Sequence, residues 1–212
     1  MLPKYKILQQ VMNAKIVAVI RGASAEEAVA VSRAAIRGGI QAIELTYTTP
    51  AVAKAFDQLT SEDAVIGAGT VLDAETARHA ILHGAQFIVS PHFQAAIATL
   101  CNRYAIPYMP GCMTISEMNE AVESGCDVVK LFPANQFEPS FISSVQGPLP
   151  HVRIMPTGGI NLENVKKWLE AGAVAAGIGS DLTKVYRIGG EKAVEQMATE
   201  YTVLAGEVGE GN

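Results

Sequence analysis

The sequence predicts a single-domain α/β protein, a (β/α)8 barrel with one extra helix ahead of its first strand. Three observations carry this. Eight short runs rich in β-branched residues recur at intervals of about 20–26 residues, the period of a βα unit. The runs are apolar on both faces, as buried parallel strands are. The segments between them bear helix start and stop signals. An open doubly wound sheet is the rival, but eight evenly spaced units with no second domain fit closure better. The chain has 212 residues, 49% hydrophobic and only 17% charged, which supplies one large core and argues against disorder. No boundary interrupts residues 1–212.

The elements follow in order. "KYKILQQVMNAK" reads as a helix within residues 1–15, placed to cover one end of the barrel. The strands are "KIVAVIR", "AIELT", "AVIGAGT", "QFIVS", "IPYMP", "DVVKLF", "VRIMPTG" and "VAAGIGS". "SAEEAVAVSRAAIRGG" opens with Ser24 as N-cap and Glu27 three residues on, then closes in glycines. "DAETARHAILHGA", "TISEMNEAVESG" and "NLENVKKWLEAGA" repeat the plan of cap, amphipathic turns and glycine. A last helix covers about "GEKAVEQMATEYTVLAG", and residues 206–212 read as a loose tail.

Charge and composition exclude several classes. The net charge is −5 with no basic run, so nucleic acid is not an expected partner, although one local basic pocket for a phosphate fits. Cys101, Cys112 and Cys126 form no CxxC pair and no zinc-like spacing, and read as buried thiols in a reducing compartment. No apolar run reaches ~18 residues, so no membrane span is expected. "MLPKYKILQQ" lacks the apolar stretch of a signal peptide, and a cytoplasmic protein is the expectation.

In such a barrel, function gathers at the C-terminal ends of the strands. There the sequence places Arg21, Glu44, Thr46, Thr70, Pro91 and His92 of "SPHF", Lys130, Phe132, Thr157 and the glycine turns. Taken singly, a strand-end carboxylate is ordinarily a structural acceptor, and His92 a loop-packing residue. Their convergence on one rim argues for a site. Lys130 stands out: within "VVKLFPA" an ammonium must snorkel, be paired or give up its proton. "TGGI" and "GIGS" each precede a helix. Their glycines let backbone N–H groups approach an anion, at the two loops where this fold seats phosphates. Gly158, Gly159, Gly179 and Ser180 are therefore candidate phosphate ligands.

Seven segments, "IELT", "GAGTVL", "FIVSPHF", "PYMPG", "KLFPA", "PTGGI" and "GIGSDL", occur in an order that resembles the 2-keto-3-deoxy-6-phosphogluconate (KDPG) aldolase / 4-hydroxy-2-oxoglutarate aldolase family. The resemblance spans about Ile16 to Leu182. It implies a homotrimeric class I aldolase of a phosphorylated 2-keto acid, without a metal or other cofactor. Lys130 would form the Schiff base and Glu44 act as general acid/base.

The residue types suit that chemistry. Cleaving the C3–C4 bond of a 2-keto acid needs a sink for an electron pair, which a protonated imine provides. Attack requires a neutral amine, which an apolar interior favours. A carboxylate then moves protons, and strands 2 and 6 would bring Glu44 and Lys130 together across the barrel. Phe132 shares the face of Lys130 and is placed to pack on the pyruvyl group; Thr70, Pro91 and Thr157 are further candidate substrate contacts.

One departure stands out. The best-known branch reads "TLRTP" where this chain has "TYTTP", so Thr48 replaces the arginine that grips the carboxylate. Arg21, in "VIRG", resembles the arginine of the galactonate branch and is the candidate substitute. Cleavage of the galactonate epimer, a different phosphate-binding barrel enzyme and a non-catalytic sugar-phosphate binder are the alternatives. Intact Lys130 and Glu44 argue against the last.

Overall fold

The structure is a computed structural model that describes residues 3–209, apart from the side chain of Ser180. It runs α1 (Pro3–Ala14), β1 (Ile16–Ile20), α2 (Ala25–Arg37), β2 (Ala42–Thr46), α3 (Val52–Leu59), β3 (Val65–Gly69), α4 (Ala74–Leu82) and β4 (Ile88–Val89). Then come α5 (Ala95–Arg103), β5 (Tyr108–Met109), β6 (Gly111–Cys112), α6 (Ile115–Glu123), β7 (Val128–Leu131), α7 (Phe141–Gln146), β8 (Arg153–Pro156), α8 (Val165–Glu170), β9 (Ala176–Ile178) and α9 (Ser180–Gly206). The expected alternation of strand and helix is present, and every strand pairing is parallel.

The expected single eight-stranded ladder is not what the pairings give. They form a six-stranded sheet, ordered β5-β4-β3-β2-β1-β9, and a three-stranded sheet, β6-β7-β8. The break falls in the predicted fifth strand, where Pro110 separates β5 from β6. Proline has no N–H to donate and interrupts the ladder, while its carbonyl still accepts from the Lys130 N–H at 2.8 Å. The Gly111 N–H donates to the Ser90 carbonyl at 2.9 Å, and an isolated parallel bridge joins Thr157 to Gly177. Lys130 thus lies on the seventh strand in chain order, not the sixth.

The helix signals act as expected at most starts. The Ser24 hydroxyl accepts from the Glu27 N–H at 3.2 Å, Asp73 accepts from the Thr76 N–H at 2.6 Å, and Thr114 and Glu117 form a capping box. Two boundaries differ. The carboxamide oxygen of Asn161 accepts from the N–H groups of Glu163 and Asn164, so a turn precedes α8 and the helix starts at Val165. The last helix also begins earlier than expected, at Ser180, with Gly190 (φ 68°, ψ −161°) as a break inside it. Of the expected tail, residues 210–212 lie outside the described part.

The helix ahead of β1 closes one end of the molecule. Leu8 and Val11 of α1 are buried in one cluster with Val17, Ala42, Val65, Phe87, Met109, Val128, Met155 and Ala175. Most of these lie at or just before the N-terminal ends of their strands, with Met109, Met155 and Val89 of the same cluster further along β5, β8 and β4, so α1 plugs the strand interior from below. The larger apolar cluster packs the outer strand faces against the helices. No helix among the described residues is long and apolar enough to cross a membrane.

Candidate active site

Side chains alternate along a strand, so the residue two places beyond each plug residue faces the same interior. Counting on by two from the plug gives Val19, Glu44, Gly67, Val89, Gly111, Lys130, Thr157 and Gly177. Counting on by two again reaches Arg21, Thr46, Gly69, Pro91, Met113, Phe132, Gly159 and Gly179. Arg21, Glu44, Pro91, Lys130, Phe132, Thr157, Gly159 and Gly179 of the predicted site therefore fall in the upper interior layers at the C-terminal strand ends, and the apolar plug lies beneath them. Thr70 falls one place out of this register and takes a left-handed backbone (φ 56°).

Glu44 and Lys130 meet as expected. Lys130 Nζ lies 3.7 Å from Glu44 Oε1, and their side chains are 6% and 1% exposed. The separation is within ion-pair reach but beyond a hydrogen bond. Neither Glu44 oxygen has a hydrogen-bond partner, and buried polar atoms left so are uncommon. Gly69 makes the arrangement possible, because a side chain there would occupy the space of the Glu44 carboxylate. The Lys130 ammonium position stands 5.0 Å from the centre of the Phe132 ring. Thr157 is also buried, and its hydroxyl is without a partner.

Above this pair opens a cavity of about 680 Å³. Arg21, Phe132, Thr157, Gly158, Gly159 and Gly179 line it, so the structure brings six predicted residues to one space. Lys130 and Glu44 are not in its wall; they share the layer of Thr157 and lie one layer below Phe132. Thr70 and Pro91 do not line the cavity, and the side chain of Ser180 lies outside the described part. Pro91 supports the rim instead, its carbonyl close against Gly111. The "SPHF" loop is fastened by Tyr108, whose hydroxyl bonds to Ser90 Oγ at 2.6 Å and donates to the His92 carbonyl at 3.1 Å. Burial raises the phenol of Tyr108 well above its usual range.

The glycine loops have the features of an anion seat. Gly158 and Gly159 both take positive φ, 94° and 78°, a backbone that favours glycine. Among the described residues, the N–H groups of Gly158, Gly159 and Gly179 donate to no other group. Gly179 also stands at the start of α9.

Four further residues with polar side chains line the cavity that sequence reasoning had not placed there as ligands: Thr48, Thr183, Lys184 and Arg187. Thr48 was singled out only for lacking the arginine's charge; its hydroxyl lies 3.0 Å from that of Thr46. Lys184 and Arg187 are three apart on α9, a spacing that puts them on one helix face. Among the described residues, no group of three or more His, Cys, Asp or Glu side chains is arranged to hold a metal.

Residues 7–197 match the family model described as KDPG and KHG aldolase. The chain is 36% identical over 177 residues to the 2-dehydro-3-deoxy-phosphogluconate aldolase of Treponema pallidum, covering 82% of this chain and 84% of that one. It is 33% identical over 189 residues to the 2-dehydro-3-deoxy-6-phosphogalactonate aldolase of Escherichia coli, covering 87% and 90%. It superimposes with a TM-score of 0.81, at 28% identity and over 94% and 97% of the two chains, on a KDPG aldolase from Legionella pneumophila. That structure holds pyruvate captured as a covalent carbinolamine intermediate.

Proposed function

Because this chain belongs to the KDPG and KHG aldolase family, and so to the pyruvate-dependent lyases, we propose that it cleaves KDPG to pyruvate and glyceraldehyde 3-phosphate through an imine on Lys130. One observation carries the reading: a buried lysine 3.7 Å from a buried carboxylate that has no other partner, at the C-terminal ends of parallel strands.

The Lys130 amine attacks C2 of the 2-keto acid and forms a carbinolamine. Glu44, as its acid, protonates the departing hydroxyl, which leaves as water and gives a protonated imine. The carboxylate then takes the proton of the C4 hydroxyl. The C3–C4 electron pair moves into the imine, the aldehyde departs, and an enamine remains. Glu44 returns the proton it took from the C4 hydroxyl to C3, and water hydrolyses the imine, which releases pyruvate and restores the amine. Every step uses side chains of this protein and none is assigned to a metal.

Phe132 bounds the pyruvyl end, Arg21 holds its carboxylate, and Thr70, Pro91 and Thr157 shape the path between. Gly158, Gly159, Gly179 and Ser180 seat the phosphate. In this reading the two sheets close as one eight-fold barrel, supported by the Thr157–Gly177 bridge and the bond from Gly111 to Ser90. The protein acts in the cytoplasm as a homotrimer, for which exposed Leu72 and Met113 on the strand-end loops and Ile115 at the start of α6 are apolar candidates. The galactonate epimer is the second reading, favoured by Thr48 in place of an arginine and by the relative named for that substrate.

Borohydride added with pyruvate should leave a stable adduct on Lys130, located by peptide mass spectrometry. An adduct elsewhere, or none, would remove the imine mechanism. Rates of cleavage of the two epimers then separate the two substrate readings.

A further inference from the structure

We propose that Arg187 and Lys184 form a second, side-chain layer over the glycine seat, which selects substrates by the charge at their far end. The inference rests on the aldolase reading and extends it to residues that the seat itself does not include.

Among the described residues three cations line the cavity, Arg21, Lys184 and Arg187, and no aspartate or glutamate does. This is a local excess of positive charge on a chain of net charge −5. The substrate of the proposed reaction carries a carboxylate at one end and a phosphate of about −1.5 to −2 at the other. Arg21 has no partner among the described residues, which leaves it available for the carboxylate. Backbone amides can orient the phosphate, but they bring partial charge only. The α9 cations stand on the same cavity wall as Gly179 and supply the full charges.

Arg187 is held for this task. Its Nε donates to Glu27 Oε1 at 3.2 Å, and Glu27 Oε2 accepts from the Ala23 N–H at 2.8 Å. Glu27 is 15% exposed against 60% for Arg187, so the carboxylate is the fixed anchor and the guanidinium its outer, adjustable partner. The remaining N–H groups of Arg187 can turn to an oxyanion without breaking the Nε contact, since the guanidinium carries five donors in one plane. Lys184 approaches Asp181 only at 3.9 Å and is 71% exposed, which leaves its ammonium mobile enough to follow the ligand. Glu27 is then a positioning residue, acting through Arg187.

The test compares KDPG with its unphosphorylated counterpart, 2-keto-3-deoxygluconate, in the parent, Arg187→Gln, Lys184→Gln, the double variant and Glu27→Gln. The double variant should lower the ratio of kcat/KM for the phosphorylated over the unphosphorylated substrate by about 10–100-fold, through KM. Its kcat/KM should also fall less steeply with added salt than the parent's, because two screened attractions are gone. Glu27→Gln should shift the same ratio in the same direction by less, which a merely structural role would not do. A ratio and salt slope equal to the parent's would overturn the proposal. If borohydride trapping of pyruvate on Lys130 fails in the parent, the aldolase reading itself has failed; if trapping is intact and the ratio is unmoved, only this inference has.

Discussion

Lys130 Nζ and Glu44 Oε1 face each other at 3.7 Å, in a layer of the interior where the residues on either side are glycine, valine or threonine. Neither Glu44 oxygen is satisfied by another group. A carboxylate kept so has its lone pairs directed at whatever enters the space beside the amine. Glu44→Gln keeps the size of the side chain and removes its capacity to exchange a proton. General acid–base steps contribute about 10²–10⁴-fold, so kcat for aldol cleavage should fall by that range. The Lys130 adduct with pyruvate should still form, more slowly. Near-parental kcat in this variant would take Glu44 out of the mechanism.

Gly69 is the residue that gives Glu44 its place. A methyl group at position 69 would meet the carboxylate and its Cδ. Gly69→Ala should therefore push Glu44 off its position. Misplacement by about 1 Å can cost ~10²-fold in rate, so a loss of that order in kcat is expected. Gly39→Ala is the control: position 39 follows α2 beside Thr202, and its positive φ (96°) puts the cost of alanine in stability, with kcat near the parent's. Steady-state kinetics on the two variants decide the matter: an active Gly69→Ala enzyme would mean that Glu44 needs no fixed position.

Much of this was legible in the sequence. The βα period appeared because buried parallel strands need continuous β-branched runs, and each helix needs its own cap. Lys130 and Glu44 appeared because a charge inside an apolar run is costly and calls for a reason. Other features were hidden for physical reasons. Pro110 sits inside an otherwise ordinary strand run, and its missing N–H shows only when the ladder is drawn. Asn161 reads as a helix cap, but its side chain closes a turn first and delays α8. Lys184 and Arg187 look like any solvated helix face until α9 is placed against the glycine loops. Thr70 reads as a strand-end hydroxyl, but it stands one place past the inward-facing Gly69, and its left-handed backbone shows only in the structure.

The three cysteines give a prediction about stability and reactivity. Burial pushes the thiols of Cys101, Cys112 and Cys126 up to about 12, from an ordinary value of 9.0. The folded state thus holds these protons more tightly than the unfolded chain. The stability this contributes is complete below the unfolded value, near 9, and is lost as pH rises from there toward 12. Denaturant midpoints should accordingly fall between pH 8 and pH 10. In the folded enzyme, iodoacetamide at pH 8 should leave all three thiols unmodified, and in denaturant it should modify all three, because the thiolate is the nucleophile. Rapid alkylation of any of them in the folded state would contradict their burial.

Arg21 carries the last prediction. It follows β1 directly, lines the same cavity as Thr48, and among the described residues no ion pair engages it. The pyruvyl carboxylate must be held while C2 faces Lys130, since attack succeeds only from a fixed distance and direction. Thr48 offers a hydroxyl already close to Thr46 and no charge. Guanidinium meets carboxylate through two parallel hydrogen bonds, which an ammonium cannot reproduce. A hydrogen bond to a charged group contributes ~1.5–3 kcal/mol, and the exposure of Arg21 places the effect at the lower end. Arg21→Lys should therefore lower kcat/KM about 10-fold and Arg21→Ala somewhat more, with unchanged thermal unfolding. The same variants should need proportionately more pyruvate for half-maximal trapping on Lys130. Thr48→Arg in the Arg21→Ala background should recover part of the loss, because it returns a guanidinium to the neighbouring wall. If Arg21→Ala traps pyruvate at the parent's concentration, the carboxylate is held by another group and Arg21 has no part in binding it.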